Sequence, residues 1–345
     1  MIRTLFIILS VLYTANVFGG YGGYIGQTDN RRYGSLSDPE FYGIAKLSID
    51  GGRCTGGFIS KNLVLTNNHC AVSCAQGKQC SAEFWNGSAY EKSNLRIAAY
   101  YKEYKTLNGK DWAILISDKD NNFYRQILPK STSGQVLRGG FGTLRIIKDN
   151  EIPYLKSLYL MVSKKYRQQC EEKSKTANEN FVECINKIVN AELKKAGRKP
   201  LFGDRDNFKI QTCSVLGNHP KSNKMIKTDC DSAGGDSGAP LLRNGKIVGL
   251  NNSGAQYVFG NADANANAVK TENFYDYAQT YIKKYSNLAS PQQPRKKNKT
   301  TTNKGGTNFV QSAISYQDTV QTQSDDDEQY IEQMLQQTFQ EFDCD

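Results

Sequence analysis

The sequence predicts a mostly β protein, either a barrel or a sandwich, that is interrupted by a pair of α-helices. Between residues 40 and 147, short apolar runs of strand length alternate with Gly, Asn and Asp at turn spacing. The composition agrees, because Gly is abundant at 30 residues and Pro is scarce at 8, which suits a β protein with many turns. The clearest apolar runs are residues 44–49, 57–59, 63–65 and 112–116.

A change of periodicity between residues 155 and 197 predicts an α-helical hairpin, the helical insert of about residues 155–200. Apolar residues recur there at helical spacing. Residues 176–179 (Thr-Ala-Asn-Glu) match a capping box, and Gly197 is a natural helix stop. The hairpin is rich in Lys and Arg, so it could dock a partner, although such a face is more often merely solvated. Strands resume after about residue 207, and a last helix is expected at about residues 272–285.

The two ends of the chain are predicted to lie outside the folded domain, which we place at residues 20–286. Residues 1–19 match a signal peptide, with Arg3 before an apolar run and small residues at its end. An uncleaved membrane anchor is the alternative, but the run is short for a bilayer span. Residues 287–345 are polar and predict a disordered tail. We therefore expect a secreted or periplasmic protein with no stable membrane insertion.

Nine cysteines in an exported chain predict disulfides. Eight of them lie in the first 230 residues at spacings that suggest local pairs: Cys74–Cys80, Cys170–Cys184 and Cys213–Cys230, with Cys54 and Cys70 as the remaining two. Cys344 is left over and would be free or intermolecular. No C-x-x-C pair occurs and there are only two histidines, so we expect neither a metal site nor a cofactor.

The net charge of +10 is compatible with an anionic surface or a nucleic acid as partner. The basic residues are spread along the chain, however, and no nucleic-acid-binding motif accompanies them. We therefore expect no nucleic-acid partner. We also expect the protein to be a monomer.

The most informative segment is the Gly-rich turn at residues 234–240, which contains Ser237. A serine becomes a useful nucleophile only when a base takes its proton and a turn exposes its hydroxyl. Glycines permit such a turn and let the amides of Gly235 and Ser237 converge where an oxyanion would form. A Gly-rich turn alone is weak evidence, because such turns are common.

The base must be one of two histidines. His69 follows the apolar run 63–65 and precedes Cys70, whereas His219 precedes Pro220 in a polar segment. The end of a strand beside a cysteine favours His69 as the base. The third member would be Asp111, which directly precedes the apolar run 112–116 and needs a partner there. Taken alone, Asp111 would be better explained as a turn residue that caps the strand.

Three motifs together resemble a known family. Residues 54–70 resemble the histidine region of the chymotrypsin-like serine proteases, residues 110–115 their aspartate segment and residues 235–240 their serine segment. The order His, Asp, Ser also matches. The resemblance covers about residues 24–286. Residues 25–31 and 228–231 are more narrowly similar to the bacterial branch that includes glutamyl endopeptidases. Asn67 and Asn68 depart from the pattern, since small residues usually precede the histidine.

The resemblance implies two six-stranded antiparallel β-barrels packed side by side, here with the helical hairpin and a C-terminal helix added. It implies a serine endopeptidase with a protein or peptide substrate, His69, Asp111 and Ser237 as its triad, and Gly235 and Ser237 as the oxyanion hole. It also implies a Cys54–Cys70 disulfide. Two other hypotheses remain: a catalytically inactive homologue that acts as a secreted binding protein, and an esterase.

The resemblance also suggests a substrate pocket. Its floor would be Asp231, followed by Ser232, and the strand after the nucleophile would supply Asn251, Ser253 and Gly254 as its wall. Trypsin-like members have an aspartate at the floor, which favours a Lys or Arg side chain. Glutamyl endopeptidases have a histidine on the wall strand, where this chain has Asn251. We therefore hypothesise cleavage after Lys or Arg. Ala233 replaces a cysteine of trypsin-like members, so Asp231 could instead turn away from the pocket.

Overall fold

The computed structural model describes residues 23–24, 28–102, 108–176, 181–252 and 266–286. The proposed signal peptide, the tail from residue 287, the capping box beyond Thr176, Ser253, Gly254 and Cys344 lie outside these residues. No helix in the described part of the chain is both long and apolar enough to cross a membrane.

The first β-barrel is a closed ring of six antiparallel strands. Its last strand in the chain is buried on both sides, with Ala113 and Leu115 in the barrel interior and Ile114 and Ile116 in the core shared with the second barrel. Burial of both faces explains why this strand is a continuous apolar run rather than an alternating one. Around the ring the strands are β3 (Ile44–Ile49), β4 (Gly52–Ser60), β5 (Leu63–Thr66), β8 (Ala113–Ser117), β7 (Tyr90–Ala99) and β6 (Cys80–Trp85).

The second barrel is also a ring of six antiparallel strands, closed by the pairing of its second strand with its third. A Gly-rich turn and the two-residue strand β12 (Ser232–Ala233) precede its fourth strand, and β12 pairs with β1 (Gly23–Tyr24). A further short strand, β2 (Arg32–Tyr33), pairs with the start of the second strand. Around the ring the strands are β9 (Gly134–Gly140), β10 (Lys209–His219), β11 (Ser222–Thr228), β15 (Ala266–Lys270), β14 (Lys246–Asn252) and β13 (Pro240–Arg243).

An apolar core joins the two barrels, as the fold class predicted for this sequence requires. Phe208 lies at its centre, with its ring 5.2 Å from that of Phe41 and 5.1 Å from that of Phe141. Leu65 and Ile114 contribute from the first barrel, and Ile247 and Leu250 from the second. Packing of this kind holds the strand ends of one barrel against the turns of the other.

Four α-helices complete the described fold. α1 (Asn68–Ala75) leaves the first barrel, and α4 (Tyr275–Ser286) follows the second. The predicted hairpin consists of α2 (Ile152–Thr176) and α3 (Phe181–Lys195), which the Cys170–Cys184 disulfide joins. α2 therefore starts three residues before the predicted boundary, because the apolar pattern begins with the buried Ile152.

Candidate active site

His69 is placed by the strand that precedes it. β5 runs between β4 and β8 in the first barrel, and α1 begins directly after it, with His69 in its first turn. Two asparagines fasten this turn to neighbouring loops: Asn67 Nδ2 donates to the carbonyl of Asp111 (2.7 Å), and Asn68 exchanges two hydrogen bonds with the backbone of Tyr101. The two residues that depart from the family pattern thus hold the histidine turn against the aspartate segment.

Asp111 uses both carboxylate oxygens on His69. Oδ2 lies 2.8 Å from the ring Nδ1, and Oδ1 accepts the backbone amide of His69 at 2.9 Å. Asp111 is 1% exposed. A carboxylate beside Nδ1 favours the tautomer with the proton on that nitrogen, which leaves Nε2 as a proton acceptor. Among the residues that the structure describes, this buried Nε2 has no hydrogen-bond partner.

The turn that carries Ser237 lies against the strands that hold His69. The carbonyl of Ser237 accepts the amide of Thr55 at 2.8 Å and lies 3.9 Å from Sγ of Cys70, the residue after His69. Gly238 has a φ of +81°, and a Cβ there would lie 2.2 Å from Oγ1 of Thr66. Glycine is therefore required at this position to bring the turn so close to β4 and β5.

Two peptide groups of this turn are held by their carbonyl sides. The carbonyl of Gly234 accepts the amide of Thr143 at 2.7 Å. The carbonyl of Asp236 accepts the amide of Ala239 and Nδ2 of Asn251, each at 3.0 Å. Because N–H and C=O point in opposite directions across a trans peptide, the amides of Gly235 and Ser237 are directed away from these supports.

Asp236 and Arg138 form a buried ion pair beside the turn, which sequence reasoning missed. Nη1 of Arg138 lies 3.2 Å from Oδ2 of Asp236, and both side chains are almost fully buried. The same oxygen accepts the amide of Ala233 at 2.9 Å, so the carboxylate bridges the start of the turn. The available signal was a charged residue inside β9, where an unpaired arginine would be costly to bury.

The predicted pocket floor, Asp231, is oriented toward the N-terminal segment. Its Oδ2 accepts the backbone amide of Asn30 at 2.8 Å, and the residue is 1% exposed. Gln211 pairs with both backbone groups of Asp231, at 2.6 and 3.1 Å. Ser232 Oγ accepts a hydrogen bond from Asn251 Nδ2 at 3.1 Å, so two predicted pocket residues are in direct contact. Ser253 and Gly254 lie outside the described residues.

The structure contains four disulfides, Cys54–Cys70, Cys74–Cys80, Cys170–Cys184 and Cys213–Cys230, which are the four pairs that the sequence predicts. The first of them joins β4 to the turn of His69. Its sulfurs lie near the imidazole, but bonded sulfurs are not the thiolates that bind zinc. His219 lies elsewhere, at the end of β10, where its Nδ1 accepts the amide of Lys221.

Two solved structures are similar to this chain. A glutamyl endopeptidase solved in complex with MPD superposes with a TM-score of 0.48 at 17% identity, over 75% of this chain and 99% of that one. Neuropsin, a serine protease of mouse brain, gives a TM-score of 0.48 at 12% identity, over 73% and 98%. No curated protein sequence matches the chain.

The sequence also matches a known family over part of its length. Residues 37–189 match the trypsin family model, a stretch that includes the first barrel, His69 and Asp111. The second barrel then supplies the remaining half of the two-barrel fold, with Ser237 in the turn before its fourth strand. In the matched part, residues 37–189, the chain is similar to the trypsin family of serine proteases.

Proposed function

We propose that this chain is a secreted serine endopeptidase that hydrolyses peptide bonds with His69, Asp111 and Ser237. The observation that carries the proposal is the buried Asp111–His69 pair, whose two contacts of 2.8 and 2.9 Å orient the imidazole beside the Ser237 turn. An aspartate that serves only to cap a strand would have no reason to bind both the ring and the backbone of one histidine.

The proposed reaction follows from these roles. Oγ of Ser237 attacks the carbonyl carbon of the peptide bond while Nε2 of His69 takes the hydroxyl proton. Asp111 stabilises the imidazolium that results. The imidazolium then gives its proton to the leaving amine, and water releases the acyl group from Ser237 by the same steps.

The oxyanion of the tetrahedral intermediate would be bound by the amides of Gly235 and Ser237. Both peptide groups are held by their carbonyl sides, so their amides need no reorganisation during the reaction. Donors that are already oriented contribute about 2.7–4 kcal/mol each in related sites. These intact features favour an enzyme over an inactive binding protein.

Substitution of Ser237 by Ala tests the proposal. The variant should lose peptide turnover and labelling by a fluorophosphonate probe, since both need the Ser237 oxygen. The circular dichroism spectrum and melting temperature should stay close to those of the wild type, because the change removes one atom. Ser174→Ala, which changes a half-buried serine near the end of α2, is a matched control and should keep full activity. A Ser237→Ala protein that kept most of its activity would overturn the proposed function.

For specificity, cleavage after Lys or Arg stays our working hypothesis, and Asp231 makes it testable. Its carboxylate already accepts the backbone amide of Asn30, so a Lys or Arg side chain of the substrate would have to share this carboxylate. A library of peptides that varies the residue before the scissile bond measures this directly. Preference for Lys or Arg would support Asp231 as the floor. Preference for Glu or for large apolar residues would show that the carboxylate serves only the N-terminal segment.

Export is the last part of the proposal. The four disulfides of the structure agree with an oxidising compartment, and the predicted signal peptide provides a route. N-terminal sequencing of the protein recovered from the culture medium or periplasm should begin near residue 20. Recovery of the intact N-terminus in a membrane fraction would instead support the anchor.

A further inference from the structure

The helical hairpin packs directly against the segments that flank the Ser237 turn. Apolar residues of α2 and α3 share one core with residues 144–147 and 201–202, which follow β9 and precede β10. Ala233, one residue before Gly234, belongs to the same core and is completely buried. The hairpin is therefore in contact with the proposed oxyanion turn rather than being a separate surface feature.

Asn190 of α3 connects the hairpin to the protease fold through three hydrogen bonds. Its Oδ1 accepts the amides of Leu201 and Phe202, at 2.8 and 3.0 Å, and its Nδ2 donates to the carbonyl of Phe202 at 2.9 Å. The side-chain amide thus pairs with a short extended segment as a neighbouring strand would. No surface role requires three bonds from one half-buried asparagine.

Residues 201–204, which include the partners of Asn190, are hydrogen-bonded to the backbone of residues 143–145. Leu144 and Phe202 form an antiparallel bridge, and the amide of Arg145 donates to the carbonyl of Leu201 at 3.1 Å. The carbonyl of Thr143 accepts the amides of Gly203 and Asp204, each at 2.9 Å. Thr143 in turn donates its own amide to the carbonyl of Gly234 at 2.7 Å. A continuous hydrogen-bonded path therefore joins Asn190 to the Gly234–Gly235 peptide.

The orientation of that peptide needs an external support. It lies between two glycines, and Gly235 has a φ of +103°, so its own side chains offer no barrier to rotation. Rotation by half a turn would direct the carbonyl of Gly234, instead of the amide of Gly235, at the oxyanion. The bond from Thr143 opposes this rotation, and the hairpin holds Thr143.

We infer that the α2–α3 hairpin positions the oxyanion turn, with Asn190 as the positioning residue. This inference rests on the proposed function and adds a role for the insert. Removal of the Asn190 bonds would let residues 201–204 and Thr143 move, which would lower the fraction of molecules with the Gly235 amide in place. We expect a lower kcat rather than a higher KM, because the Gly235 amide binds a charge that develops only after the substrate is bound.

The test compares Asn190→Ala, Asn190→Asp and the control Lys195→Ala with the wild type on one fluorogenic peptide. Lys195 lies on the same helix and is exposed, and its ammonium pairs with Glu192 at 2.7 Å. A separate aliquot of each protein is titrated to completion with a fluorophosphonate, so that the rates of the unlabelled protein refer to molecules with a competent Ser237. Melting temperatures are measured in parallel.

Asn190→Ala should lower kcat per labelled site by about 10- to 100-fold and leave KM within about twofold, since a small misplacement of a catalytic group has effects of that order. Asn190→Asp keeps the acceptor for both amides, so its kcat should lie between those of Asn190→Ala and the wild type. Lys195→Ala should match the wild type.

Equal kcat for Asn190→Ala and the wild type, or a loss confined to KM, would overturn the inference. If Asn190→Ala does not fold, Asn190→Asp decides: a lower kcat per labelled site supports the inference, and an unchanged one overturns it. A wild type that neither cleaves peptides nor takes the label would instead contradict the proposed function itself.

Discussion

Two of the buried carboxylates in this site, Asp236 and Asp111, have partners that suggest different roles. Asp236 is paired with the guanidinium of Arg138, 3.2 Å away, which is always charged. Asp111 contacts an imidazole that becomes cationic only when it takes a proton. Asp236 therefore shapes the turn of Ser237, and in the proposed mechanism Asp111 stabilises the charge that His69 carries during the reaction.

Asp111→Asn isolates this second role. An amide nitrogen facing Nδ1 of His69 would donate a hydrogen bond, which selects the tautomer with the proton on Nε2 and removes the base. We expect kcat to fall by about 10⁴-fold with little change in geometry. The control is Asp149→Asn, which removes an exposed carboxylate at the start of a short helix. Steady-state kinetics on both variants checks this, and a tenth or more of the wild-type kcat in Asp111→Asn would contradict it.

At the scale of elements, the Gly-rich turn before β13 is the feature on which the site depends. Its chain doubles back between the two barrels, where Gly235 approaches Phe141 and Gly238 approaches Thr66. Thr55 of β4 supports it from the first barrel: Oγ1 donates to the carbonyl of Gly235 at 2.9 Å, and the backbone amide donates to Ser237. The turn is thus built from contacts to both barrels.

Gly235→Ala should abolish turnover. A Cβ at this position would lie 2.3 Å from the carbonyl oxygen of Phe141, so the backbone of the turn would have to move. Gly51→Ala is the matched control, because Gly51 also has a positive φ (+79°) but has no atom within 4 Å of the added Cβ. The control should lose about 1–3 kcal/mol of stability from its backbone conformation and keep its kcat.

Activity per labelled site and thermal melting separate these two effects. Equal kcat in the Gly235→Ala and Gly51→Ala proteins would show that the close approach at Phe141 does not constrain the turn.

At the scale of the whole molecule, the C-terminal helix α4 links the second barrel back to the first. Trp112, next to Asp111 and 2% exposed, has the rings of Phe274 and Tyr277 at 6.2 and 5.3 Å. Tyr277 also pairs with Tyr101, and burial together with that hydrogen bond raises the pKa of Tyr101 to about 12. Removal of α4 would therefore expose the aromatic cluster beside the aspartate segment.

Two truncated chains test this arrangement. A chain that ends at residue 289 should keep wild-type kcat and melting temperature, because the composition of the tail predicts no core contribution. A chain that ends at residue 271 should fail to fold, since loss of a single buried aromatic side chain costs about 3–5 kcal/mol against a total stability of about 5–15 kcal/mol. Loss of folding in the longer chain would show that the tail packs on the domain.

The Tyr101–Tyr277 pair also predicts a loss of stability at alkaline pH. The pKa of Tyr101 is higher in the folded protein than the ordinary value of 10, so the pair stabilises the fold fully below about pH 10. That contribution is lost as the pH rises toward 12. Tyr277→Phe removes the hydrogen bond and should make the melting temperature less dependent on pH in this range. An unchanged dependence would show that burial alone accounts for the shift.

The sequence by itself determined the parts of this protein that depend on local pattern. Strand-length apolar runs predicted a barrel or a sandwich, the helical spacing predicted the hairpin, and the cysteine spacings suggested local disulfides. The family resemblance added the two-barrel architecture and the Cys54–Cys70 pair. His69, Asp111 and Ser237 could be selected because few other residues had the right chemistry beside the right strand. These features are encoded within a few residues of each other.

Only the tertiary structure shows which side chains pair with residues that are distant in the sequence. Arg138 was not identified from the sequence, and it forms a buried ion pair with Asp236 across a long sequence separation. The family resemblance predicts Asp231 as the pocket floor, and only the structure shows that its carboxylate also accepts the backbone amide of Asn30. In the sequence, nothing distinguishes Asn190 from other polar residues of the predicted hairpin, and only the structure shows its bonds to residues 201–202. Buried polar groups are almost always hydrogen-bonded, so burial determines which partners they need. These groups become buried only when the two barrels pack against each other.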